Sequence, residues 1–122
     1  MDKEVIETIN KTKAILLAKK TEYVNWLKCV SDEYMAFVIE CDGIYITPEM
    51  NNNTGFLKWD TNPLKTKRYT DLKDAHEAGK KVRNGNGTYG RAISLKVAVE
   101  REFDMCDKLL DNFAEINMTP DP

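Results

Sequence analysis

Gly85, Gly87 and Gly90, in the run RNGNGTYGRA (83–92), stand in the order G-x-G-x-x-G. Glycines so spaced let successive backbone N–H groups turn inward, and a loop of that kind opening a helix favours a bound anion. Lys80, Lys81, Arg83 and Arg91 surround it with positive charge, while Asn84, Asn86 and Thr88 supply uncharged groups for a ribose or a base. The same residues also suit a plain helix–helix connection whose glycines serve as a C-cap and a turn. A dinucleotide fingerprint is excluded. It needs a strand before the glycines, a helix after them and an acid about 20 positions on, at the end of a second strand. Here a predicted helix precedes the loop, and another occupies nearly all the chain after it. No G-K-[ST] follows, so a Walker loop is excluded too.

Two further groups can meet a phosphate. Arg101 falls in an apolar row of the long C-terminal helix, where a charge needs a partner. That partner is a ligand phosphate, a neighbouring acid such as Glu100 or Glu102, or solvent reached by snorkelling. In KTKRYT (65–70), Lys65, Lys67 and Arg68 stand beside Tyr69, a pattern that can hold phosphate and stack on a base, or simply be a solvated basic linker. Trp26, Trp59, Phe37 and Phe56 read as sheet core, though any of them could line a pocket. Catalytic groups are sparse. His76 is the single histidine, expected on the surface of a short helix; no G-x-S-x-G elbow and no His/Asp metal cluster is present. The carboxylates are scattered. The inventory favours holding a ligand over converting it, with no catalytic residue, metal or cofactor expected.

These residues need elements to position them. Residues 3–19 read as a helix capped by Asp2, with Val5, Ile6, Ile9, Leu16 and Leu17 favouring one side. EYVNWLKCV (22–30) is rich in β-formers and reads as a strand. YMAFVIEC (34–41) is the clearest strand; Asp42-Gly43 supplies a tight hairpin turn, IYIT (44–47) returns antiparallel, and Pro48 ends it. FLKWD (56–60) is a further strand. Thr70 can cap a short helix, DLKDAHEAGKKV (71–82), and roughly residues 90–116 read as one long helix. Its first apolar row is Ala92, Leu95, Val99, Phe103, Cys106, Leu110 and Phe113. A second runs Ile93, Val97, Arg101, Met105 or Leu109, and Ile116. One small sheet can hardly bury both rows, so a second protomer is expected on this helix. The predicted fold is α+β: an N-terminal helix, a small antiparallel meander, a short helix and a long, oligomerising C-terminal helix.

The chain's 122 residues suit one domain. Lys plus Arg number 18 and Asp plus Glu 20, a net charge of −2, which argues against a general nucleic-acid binder. No apolar run approaches the roughly 20 residues of a membrane span, and MDKEVIETINKTK has no signal-peptide core. Cys29, Cys41 and Cys106 show no C-x-x-C spacing and read as three buried thiols in a reducing cytoplasm.

The run RYTDLKDAHEAGKKVRNGNGTYGRAISLKVAVERE (68–102) resembles phage anti-Thoeris sponge proteins, which bind the cyclic ADP-ribose isomers made by bacterial immune TIR proteins. Three features carry the resemblance: total length, a meander followed by a long C-terminal helix, and Asn84 with Arg101 seventeen positions later. It implies a homo-oligomer holding an intact cyclic nucleotide signal between protomers, with possible separate sites for cyclic oligonucleotides. On that expectation the ligand-binding residues are Arg68, Tyr69, Arg83, Asn84, Gly85, Asn86, Thr88, Tyr89, Arg91 and Arg101. A phage inhibitor that binds a host protein directly and a small hydrolase of the same signals are the alternatives.

Overall fold

A computed structural model describes residues 1–50, 57–83 and 87–116. The chain runs α1 (Lys3–Cys29), β1 (Phe37–Cys41), β2 (Ile44–Met50), β3 (Leu57–Asp60), a 3-10 turn (Pro63–Lys65), α2 (Leu72–Lys80), β4 (Arg91–Ser94) and α3 (Leu95–Ala114). It is a small α+β fold with helices near both ends, as the sequence predicts. By internal contact it forms two compact units: a helical one from Met1–Val30 and Glu100–Pro122, and a sheet unit from Ser31–Val99.

In the helical unit, Asp2 caps α1, its carboxylate accepting from the Glu4 N–H at 2.8 Å. The helix does not stop near residue 19. The expected strand at 22–30 is the last part of α1, which ends where the Val30 N–H donates to the Trp26 carbonyl. No glycine or proline interrupts residues 1–30, and helix extends cheaply once begun. Tyr23 and Leu27, four apart, continue the inward line of Ile6, Ile9 and Leu16, and Tyr23 is fully buried. Val5 and Leu17 are exposed, so they lie off that line. Lys20 ties α1 to α3, bonding Asp107 at 2.5 Å with its ammonium 5.6 Å from the Phe103 ring centroid. That bond to Asp107 raises the lysine pKa.

In the sheet unit the strand order is β3-β2-β1-β4, every pair antiparallel. Asp42 (φ +50°) and Gly43 (φ +85°) make the predicted hairpin turn. β2 passes through Pro48 instead of ending there. Proline lacks a donor, and the pairing with β3 shifts register between Thr47 and Met50 to accommodate it. Residues 91–94 are a strand rather than the start of the long helix: Phe37 to Glu40 of β1 pair with Ser94 to Arg91. The helical spacing of Ala92 and Leu95 is overridden by pairing with the outer edge of β1. Helix then begins at Leu95, whose N–H donates to the Ala36 carbonyl at 2.9 Å.

α2 is capped by Asp71, not Thr70; its carboxylate accepts from Lys73 and Asp74 N–H at 2.7 and 3.3 Å. The core on one face of the sheet joins Ile39, Cys41, Ile46 and Val82, with Ile44, Tyr69 and Ala78 against them. Gly79 and Gly90 permit a close backbone approach. A Cβ on Gly79 would lie 2.9 Å from the Gly90 carbonyl oxygen, and one on Gly90 would lie 2.7 Å from Ile39 Cγ2. These glycines therefore let the end of α2 meet the start of β4. No helix among the described residues is long and apolar enough to cross a membrane.

Candidate ligand-binding site

The glycine-rich loop is closed at its base. Arg83 and Tyr89 form an antiparallel bridge, and the Gly90 N–H donates to the Val82 carbonyl at 2.9 Å. These contacts tie the segment that follows α2 to the one that leads into β4. Gly87 takes φ +86°, a backbone state that favours glycine. Asn84, Gly85 and Asn86 lie outside the described residues. Thr88 is exposed, and its carbonyl accepts from the buried Cys41 thiol at 3.3 Å. The Arg83 guanidinium lies 6.0 Å from the Tyr89 ring centroid, both side chains on the surface. A cation and an aromatic face are therefore presented together at the loop's mouth.

Arg91 has a different setting. Its Nε and one NH2 both reach Glu40 Oε2 at 2.7 Å, and the Glu40 side chain is 10% exposed. The second Glu40 oxygen accepts from the Gly43 N–H at 3.3 Å. An anion arriving at Arg91 competes with that carboxylate. Arg68 is exposed, donating to the Tyr34 hydroxyl at 3.1 Å and the Leu64 carbonyl at 3.4 Å.

Tyr69 is half-buried. Its backbone exchanges both hydrogen bonds with Phe37, and the Lys67 ammonium lies 5.1 Å from its ring centroid. Burial, and then the charge of Glu49, push its phenol pKa up. The ring lines an open groove of about 360 Å³ with Pro48 and Lys67 on one side and Asp74, Glu77 and Lys81 on the other. The groove thus brings together two ammoniums, two carboxylates and one aromatic ring. Its α2 wall was readable in the sequence: 74, 77 and 81 fall at i, i+3 and i+7, one helical face. Only tertiary packing brings this face together with Lys67 and Tyr69 of KTKRYT.

Arg101 belongs to the helical unit and the other described site residues to the sheet unit. It is exposed on α3, so no burial penalty obliges it to find a partner. His76 is exposed on α2. Among the described residues no group of three or more His, Cys, Asp or Glu could hold a metal ion. No family model, curated protein or solved structure matches the chain.

Proposed function

We propose that this chain binds and holds, without converting it, a phosphate-bearing nucleotide signal of the cyclic ADP-ribose class, and so withdraws that signal from a host's anti-phage response. The observation that carries the reading is the Tyr69 groove with its mixed charge. Lys67 and Lys81 suit phosphate oxygens, Asp74 and Glu77 can accept from ribose hydroxyls or a base amine, and Tyr69 offers an aromatic edge. Two residues after Lys81, Arg83 pairs with Tyr89 and repeats the cation–aromatic arrangement. Three or four charge-assisted contacts of about 1.5–3 kcal/mol each sum to about 4.5–12 kcal/mol before ordering costs, enough for an affinity in the micromolar range. The finer choice of a cyclic ADP-ribose isomer rests on the resemblance of residues 68–102.

Holding requires only complementarity to the ground state. Homo-oligomerisation belongs to the same reading and draws on the second apolar row of α3, where Val97, Met105 and Leu109 are exposed while Leu95, Val99 and Cys106 of the first row are buried. The test mixes excess protein with cyclic ADP-ribose isomers, NAD and cyclic dinucleotides in turn. A bound signal disappears from solution, and heating the complex returns it chemically unchanged. Recovery of a linearised or hydrolysed nucleotide makes the protein a hydrolase. No thermal shift with any nucleotide, together with a co-purifying host protein, favours the direct inhibitor.

A further inference from the structure

β3 forms one side of the sheet, and its outer edge bears no further strand among the described residues. The strand is open to water: Leu57 is 37% and Trp59 60% exposed. Trp59 pairs with Ile46, a core residue, so its ring sits on the apolar face of the sheet. An edge of outward N–H and C=O groups beside a large exposed ring is a template for another strand. Lys58 and Asp60 flank Trp59 with opposite charges on the other face.

We infer that β3 docks a second copy of this chain, strand to strand and antiparallel, about a two-fold axis through Trp59. Charge sets the register. Centred on Trp59, Lys58 of one copy faces Asp60 of the other, and symmetry supplies the reciprocal ion pair. On the opposite face the two Trp59 rings meet across the axis, within the roughly 4.5–5.5 Å Cβ spacing of directly opposed residues. Centring on Lys58 or Asp60 sets like charges against each other. The half-step registers set Trp59 against a charge. Lys58 is able to serve, because its present partner Glu49, at 3.3 Å, is an exposed one. The contact is isologous and self-limiting, and it doubles the sheet. It involves neither the ligand groove nor α3. With only four residues per strand, it is a weak, micromolar association.

The experiment is sedimentation velocity on the full chain and three variants over a micromolar concentration series, with circular dichroism confirming the fold of each. Lys58→Asp and Asp60→Lys each place like charges across the axis and weaken association about tenfold. The double variant K58D/D60K restores it. So does an equimolar mixture of the two single variants, since each then faces an opposite charge, and a folding defect cannot produce that rescue. Association through α3 is common to every sample and cancels from the comparison. Single variants that associate as tightly as the parent, or a mixture no tighter than its components, overturn the proposal.

Discussion

Glu40 shows how one residue's chemistry divides structural from ligand-facing charge. It is 7% exposed, and Arg91 and the Gly43 N–H satisfy it. Arg91→Ala removes the charged partner of that nearly buried carboxylate, with an expected loss of about 1–3 kcal/mol in urea unfolding. Lys67→Glu and Lys81→Glu touch no such buried group. They are expected to weaken nucleotide binding about tenfold or more while leaving the urea midpoint within error of the parent. The cysteines give a separate check. Cys29 is exposed, Cys41 and Cys106 are buried, and burial pushes the Cys106 thiol pKa up, which lowers its thiolate fraction near neutral pH. Iodoacetamide at neutral pH should therefore modify Cys29 first in the folded protein, and all three only in denaturant.

At the scale of elements, the meeting of α2 with β4 is decided by two glycines. Alanine is the better helix former by about 1 kcal/mol, so propensity alone predicts that Gly79→Ala stabilises α2. The added Cβ would lie 2.9 Å from the Gly90 carbonyl oxygen, a backbone atom with little room to retreat. Overpacking of this kind costs about 1–3 kcal/mol, and the net expectation is a lower melting temperature. A rise would mean that α2 and β4 can separate without loss. The same junction marks the limit of what the sequence reveals. The Asp42-Gly43 hairpin was legible because its backbone demand is local, and so was the amphipathic face of α2. β4 was not, since Ala92 to Leu95 keep the helical spacing and only the edge of β1, distant in sequence, makes a strand of them. Residues 22–29 misled for the opposite reason. Their β-forming side chains are also spaced for a helix, and α1 reaches them without interruption. The groove is legible in halves, the Lys67–Tyr69 segment and the 74, 77, 81 face, but their union is tertiary.

For the whole molecule, the two apolar rows of α3 differ in exposure: Leu95, Val99 and Cys106 of the first are buried, and Val97, Met105 and Leu109 of the second are exposed, the surface from which we propose an oligomer. Light scattering at micromolar concentration is expected to exceed the 14.0 kDa of one chain. Leu109→Lys should reduce that association with the helical content retained; an unaltered mass would remove α3 from the contact. The division of the chain into units has a consequence for its synthesis. The sheet unit is one uninterrupted stretch, Ser31–Val99, whereas the helical unit is assembled from the two ends of the chain. A growing chain therefore completes the sheet while α1, made before it, still waits for Asp107 and Phe103. During that interval Ile9, Leu16 and Tyr23 lack the second helix of their own unit. A nascent chain halted at Glu100 should show native hydrogen-exchange protection in β1 and β2 but rapid exchange along α1.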